Sequence, residues 1–264
     1  MNILKKALAP LTDAAWNEIT SEAAKVLDAT LTARKFADID GPNGFDFSAV
    51  STGRLYTPGN QSKTGVNYGI RQVIPLIETR KPFMLDIWEL DNVNRGAKDV
   101  NLENMLKAAE EIALFEENFI YKGFKQGETK GLLKSSEHEQ VKTPEDPEDF
   151  LKAVAACVIR LRESWVKGPY SMVINDQVWT RLMKLTEGYP LSKQLVKIIG
   201  GHTIVNPNID QSLLISEQGG DYELVLGQDI SIGYDSHDSE KVKLYFTESF
   251  TFRILSPEAI IVFN

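Results

Sequence analysis

"STGRLYTPGNQSKTGVNYGIRQVIPLIETRKP", Ser51 to Pro82, is the stretch on which the reading of the fold turns. It is polar and carries a turn signal near Pro58–Gly59, so it predicts a long hairpin over about residues 47–82. Its outer half has few residues with which to build a core. An isolated two-stranded ribbon is marginal in water, so an arm this long has to rest on the rest of the molecule or on a neighbouring chain. Obligate assembly is the first expectation.

Immediately downstream lies "RKPFMLDIWELDNVNRG", Arg80 to Gly96, where Phe83, Leu85 and Ile87 alternate with Met84, Asp86 and Trp88 as in a half-buried strand. Asp86 and Glu89 then look to opposite faces. Glu89 and Asp91 share a face at about 6.5–7 Å, the spacing of an inverting glycosidase pair. The simpler reading is a strand end followed by a solvated acidic turn, because "DNVNRG" is rich in turn residues.

Three helices flank these stretches. Thr12 caps the first, expected to reach about Lys35, with Trp16, Ile19, Ala23, Val26, Leu27 and Leu31 on one face. Asn101 caps the second, with Met105, Ala109, Ile112, Phe115, Phe119 and Ile120 inward and Gly123 past its end. Glu116 falls beside that stripe and reads as a carboxylate paired with a basic residue from elsewhere. The third runs from about Glu148 to Lys167, with Phe150, Leu151, Val154, Val158, Leu161 and Trp165 inward and Cys157 as a small core hydrophobe. The charged, proline-bearing "KSSEHEQVKTPEDPEDF" before it looks like a boundary. A strand "YSMVIN", a short helix near "DQVWTRLMKL" and the loop "TEGYPLSKQ" follow, and the chain is strand-rich from "HTIVNP" onward. Helices and strands in irregular order, with little βαβ alternation, predict an α+β fold.

With 264 residues, 42% hydrophobic and 25% charged, the chain has ordinary globular composition and length for one large or two modest cores. A net charge of −8 gives no general attraction to nucleic acid or anionic membrane. Cys157 alone cannot form an intrachain disulfide, the amino terminus carries too short an apolar run for a secretory signal, and no run approaches bilayer length. A soluble cytoplasmic protein without membrane or nucleic-acid partners is expected.

The catalytic motifs fail one by one. "GFKQGETKG" lacks the ending of a P-loop and follows a helix, there is no G-x-S-x-G elbow, and His138, His202 and His237 have no local metal-ligand spacing. Asp235, Ser236 and His237 adjoin in "YDSHDSEK", but triads are assembled from separated segments, so this is a polar turn between strands. No enzyme activity, metal or required cofactor is expected.

The runs "LAPLTDAAW", "ARKFADIDGPNG", "IPLIETR", "LDIWELDN", "KGLL", "GPYSMVIN", "GYPL", "LGQDISIGY" and "TESFTFRILSPEAI" resemble, in order along the whole chain, the shell-forming encapsulins of the linocin or culture-filtrate-protein type. Two segments depart from that pattern, "STGRLYTPGNQSKTG" and "SSEHEQVKTPEDPED". The resemblance implies the Hong Kong 97 phage-capsid fold. Residues 1–46 would form an N-terminal lumenal helix and the start of the peripheral domain, 47–82 the extended loop, and 83–145 the peripheral domain with its long spine helix. Residues 146–223 would form the axial domain and 224–264 the last peripheral strands.

The resemblance also implies a function: an icosahedral nanocompartment, of about sixty copies in the smallest shells. Such shells enclose enzymes bearing a carboxy-terminal targeting peptide, for example ferritin-like iron oxidases of iron storage or dye-decolourising peroxidases of oxidative stress. It implies a cargo-peptide site at Leu27, Leu31, Arg34, Asp38, Ile230 and Ile232. Thr186, Glu187, Gly188, Tyr189 and Pro190 would line a fivefold pore. Trp88 stands where some relatives contact a flavin, against the simpler reading of a structural tryptophan. The competing readings are a viral or prophage capsid protein and a secreted bacteriocin or hydrolase.

Overall fold

In the computed structural model, which describes residues 3–59, 65–183, 185–186 and 189–264, local sequence signals set most element ends. Helix α1 spans Asp13–Thr30, and the Thr12 side chain accepts the Ala15 amide at its N-terminus as expected. It stops short of Lys35. The amide of Ala33 and the hydroxyl of Thr32 are drawn instead to Glu117, and residues Ala33–Lys35 form a single 3-10 turn. The expected hairpin is present as β2 (Ala49–Tyr56) and β3 (Ile70–Pro75), paired antiparallel; its tip beyond Gly59 lies outside the described residues. Strand β1 (Asp38–Asp40) precedes it, and β4 (Ile77–Asp86) follows.

The reading of residues 83–88 as one strand is corrected at its end. Asp86 accepts the Glu89 amide at 3.1 Å and starts helix α2 (Ile87–Arg95), so the "turn-rich" acids are helical. On a helix, Glu89 and Asp91 do not share a face, and the glycosidase pair disappears. Gly96, at φ 94°, closes α2. Helix α3 (Glu103–Lys122) follows, with the Asn101 side chain accepting the Glu103 amide and Gly123 as its C-cap. The short pair β5 (Gly123–Phe124) and β6 (Thr129–Lys130) folds back on its end.

Asp146 caps α4 (Pro147–Glu163), whose Phe150, Leu151, Val154, Cys157, Val158 and Leu161 are buried as predicted. Trp165 is not inward. The helix has ended by then, Trp165 lies at φ 65°, and its side chain is 91% exposed. Then come β7 (Tyr170–Ile174), α5 (Asp176–Leu182), the two-residue strands β8 (Leu185–Thr186) and β9 (Tyr189–Pro190), and α6 (Leu191–Ile199). Strands β10 (Gly200–Val205), β11 (Ser212–Ser216), β12 (Tyr222–His237), β13 (Lys241–Ile254) and β14 (Ile260–Phe263) complete the chain. The polar turn expected at Asp235, Ser236 and His237 falls later: those residues end β12, paired with β13, and the turn beyond them is closed by Asp238, which accepts the amides of Glu240 and Lys241.

Two four-stranded sheets carry the core: a first sheet in the order β1-β12-β13-β4 and a second in the order β10-β7-β11-β14. Chain segment 141–143 is docked on β14 through hydrogen bonds of Val141 with Val262 and Asn264, so the charged stretch before α4 is tied down. One apolar cluster joins α4, the second sheet and the end of α3; the other joins α1, α2 and α3 to the far half of the first sheet. Helix α3 contributes to both and so links them.

Where α3 ends, Gly123 and Gly131 bring two backbones together. A Cβ on Gly131 would meet the Gly123 nitrogen at 2.2 Å and the Lys122 carbonyl carbon at 2.3 Å, neither of which can yield as a side chain would. Gly131→Ala is expected to destabilise the protein by about 1–3 kcal/mol, seen as a lowered midpoint in thermal or urea unfolding.

Candidate functional site

The seam between α1 and β12 is built by small and branched side chains. Ala15, Ile19 and Ala23 are buried together with Met105, Ala109 and Ile112 of α3 and with Ile232, Leu244 and Phe246 of the first sheet. Leu27 and Ile230 are half-buried and pack against this cluster from its rim, as do Trp16 and Tyr234. Of the six predicted groove residues, Leu27, Ile230 and Ile232 belong to this one cluster, in which α1 packs chiefly on α3 and α2. Ile232 at 5% exposure and Leu31 at 7% are core residues.

Asp38 lies elsewhere. It pairs with Glu223 in register, seven residues before Ile230, roughly 20 Å away along the strand, and it accepts the Gly220 amide.

Arg34 is not a free flanking cation. Its Nε and Nη2 donate to the two oxygens of Glu116 at 2.9 and 2.6 Å, Nη1 donates to Asp229 at 2.9 Å, and Nη2 donates also to Glu248 at 2.8 Å. Glu116 and Glu248 are fully buried. Burial opposes the charge on Arg34, but hydrogen bonding to Glu116 and the surrounding carboxylates outweigh it and raise its pKa above the ordinary value. The expectation for Glu116, a carboxylate paired with a distant base, is met by this residue.

Beside it, Glu117 accepts the Ala33 amide at 2.9 Å, the Thr32 hydroxyl at 2.5 Å and the Asn206 amide group at 2.9 Å. Burial pushes its carboxyl up to about 7, against those hydrogen bonds. Sequence reasoning missed Glu117, Asn206 and Glu248. The one available signal was Glu248 itself, a carboxylate set in the strand run "KLYFTESFTF".

At the predicted pore loop, Thr186 pairs with Tyr189 and Leu185 with Pro190 in a two-residue-stranded hairpin; Glu187 and Gly188 lie outside the described residues. Trp88 is 73% exposed on α2, above a cleft of about 480 Å³ lined also by Met84, Asp86, Glu89, Asn92 and Arg95. Its acids are engaged: Asp86 caps α2 and Glu89 accepts the Asn101 amide. Along the hairpin, Leu55, Tyr56, Val66, Tyr68, Ile70 and Val73 are all exposed. No helix among the described residues is long and apolar enough to cross a membrane.

The fold is that of viral capsids. A crystal structure of a virus-like particle from Pyrococcus furiosus superposes with a TM-score of 0.70 at 21% identity, covering 94% of this chain and 98% of that one. The capsid of Myoviridae phage XM1 does so with a TM-score of 0.59 at 12% identity, covering 88% and 91%. The family model described as "Encapsulating protein for peroxidase" (Linocin_M18) matches residues 1–251. Type 1 encapsulin shell proteins are similar over nearly the whole chain. That of Rhodococcus erythropolis is 38% identical over 262 residues, 99% of each chain, and that of Rhodospirillum rubrum 39% over 268 residues, 99% of this chain and 96% of the relative. The chain belongs to the encapsulin shell protein family, and its role is structural, not enzymatic.

The Arg34 cluster makes a stability prediction. Removing the cation from buried acids typically costs about 3–5 kcal/mol, so Arg34→Ala should lower unfolding stability by that order, measured by denaturant titration. A loss below about 1 kcal/mol would show that the three carboxylates do not depend on it.

Proposed function

We propose that this chain closes into an icosahedral shell, of about sixty copies in its smallest form, which encloses cargo enzymes in the cytoplasm through their carboxy-terminal targeting peptides. The observation that carries the reading is the hairpin. Its two strands pair only with each other among the described residues, and the hairpin with its connection exposes Leu55, Tyr56, Val66, Tyr68, Ile70 and Val73, none of which joins either apolar cluster. Burying one such side chain is worth about 1.5–3 kcal/mol, and several together on neighbouring copies supply the drive for assembly. In this reading residues 47–82 are the extended loop, 146–223 the axial domain with Thr186–Pro190 at the pore, and the remainder the peripheral domain.

The targeting peptide is assigned to the α1–β12 seam. Leu27 and Ile230 offer their half-buried faces to its aliphatic residues, over a floor that includes Ile232. Leu31 and Arg34 shape the end of the seam from within, and Asp38, paired beside Glu223, lies outside it. The family description, an encapsulating protein for peroxidase, supports a peroxidase as cargo, and a ferritin-like iron oxidase is the other class the resemblance implies. A flavin on Trp88 is an accessory to this role and not a requirement of it. A nucleic-acid-filled capsid shares the fold, but the net charge of −8 disfavours it.

Two experiments test the two halves of the reading. Replacing residues 55–70 by a short glycine-serine turn is expected to give small oligomers in place of closed particles by electron microscopy and size-exclusion chromatography; intact shells from that variant would overturn the role of the hairpin. Separately, Leu27→Asp and Ile230→Asp shells, co-expressed with a fluorescent protein bearing a targeting peptide, should assemble and lose about tenfold or more in loading. Full loading of both would move the groove to another surface.

A further inference from the structure

Two neighbouring segments of the chain carry opposite charge. Residues 37–48 hold Asp38, Asp40 and Asp46 and no cation, whereas residues 49–75 hold Arg54, Lys63 and Arg71 and no acid. On a chain of net charge −8, the hairpin is therefore a basic arm on an acidic body. Arg71 lies opposite Leu55 in the ladder and Arg54 directly precedes Leu55, so these two cations stand at one level of the hairpin. Like charges so placed repel. Neither forms an ion pair among the described residues, and neither do Asp40 and Asp46.

The acidic segment has a second property. It contains β1, the outermost strand of the first sheet, and among the described residues no strand lies on the side of β1 turned away from β12. Asp38, Ile39 and Asp40 are all exposed, as are Phe45 and Asp46 just beyond. Acids on a short edge strand block stray pairing. The same acids admit a basic strand, because discrimination between partners is a difference of affinities. The hairpin has the matching features: two open edges, exposed Leu55, Tyr56, Ile70 and Val73, and the cations Arg54 and Arg71 beside them.

We propose that the hairpin of one copy docks on the β1 edge of a neighbouring copy, residues 38–46, with Arg54 and Arg71 meeting Asp40 and Asp46 and the hairpin's apolar side chains covering Ile39 and Phe45. Asp38 is left out of the pairing because it already accepts the Gly220 amide. This rests on the shell reading and adds to it the surface that receives the hairpin. The occupant is a second copy: within one chain the two segments adjoin in sequence, yet their charges stay unpaired and their apolar side chains stay exposed.

A contact between two different surfaces is heterologous, so each copy gives one hairpin and receives one, and the contact repeats around a closed assembly. An exposed ion pair contributes little by itself. The charges select the partner and set its orientation, while apolar burial supplies the drive. A hairpin set against a second hairpin would bring cations against cations, which the same rule disfavours.

The test is a charge exchange in the full chain. R54E/R71E and D40K/D46K should each lower the yield of closed particles by about tenfold or more, in size-exclusion chromatography and electron microscopy, and the chain carrying both sets should recover most of it. If each set lowers assembly and the combined chain does not recover, the β1 edge is overturned as the receiving surface while the hairpin's role in assembly stands. That role is read separately, from the glycine-serine replacement. Full assembly of both separate sets would also overturn the proposal. A second measurement needs no charge reversal. Shells of R71K, assembled from a mixture of ¹⁵N-labelled and unlabelled chains, are treated with a carbodiimide, which joins a lysine amine directly to a carboxylate. Mass spectrometry should find position 71 joined to Asp40 or Asp46, with pairs of mixed label among the products. No such link, or links only within one label, would overturn the docking.

Discussion

Everything near the α1–β12 seam depends on one partly buried guanidinium. Arg34 joins the elbow after α1 to α3 through Glu116, to β13 through Glu248 and to β12 through Asp229, and no apolar side chain could meet three acids from three elements. A planar fork with five donors suits this where an ammonium would not. The arrangement is a constraint more than a source of stability, since buried ion pairs are often no better than well-packed apolar replacements. Its effect is to fix where α1 ends and how it lies on the sheet.

That constraint explains the premature end of α1. Apolar spacing alone continues the helix to about Lys35, because Leu31 keeps the phase of Leu27. Thr32 and the Ala33 amide instead satisfy Glu117, and the backbone turns so that Arg34 can reach Glu116. A tertiary network of full hydrogen bonds outweighs the modest local preference for one more helical turn.

The sequence made some of this legible and hid the rest for identifiable reasons. Local signals were read correctly: the Thr12 cap, the inward face of α4, buried Cys157, the hairpin, and the paired state of Glu116. Trp165 was misread because helical phase says nothing about where the helix stops; Ser164 and a left-handed Trp165 end it first. Trp88 was assigned to a strand because its alternation continues across Asp86, whose capping role needs only one side-chain bond to redirect the chain. The partners of Arg34 were hidden by distance, 195 residues to Asp229 and 214 to Glu248. Resemblance placed Arg34 at the groove without showing that its donors were already committed.

The two apolar features of the chain divide the physical work between them. Residues such as Ile19, Ala23 and Ile232 are sealed in one chain and therefore specify the subunit, whereas the exposed hairpin side chains belong to neither apolar cluster. Their exposure is tolerable because polar residues are interspersed and the strands are short, which limits nonspecific edge pairing. The seam stands between these extremes. Leu27 and Ile230 are half-buried, held by the cluster on one side and open on the other. The Arg34 network and the half-buried rim are linked through β12, because Asp229, which accepts from Arg34, directly precedes Ile230 in that strand.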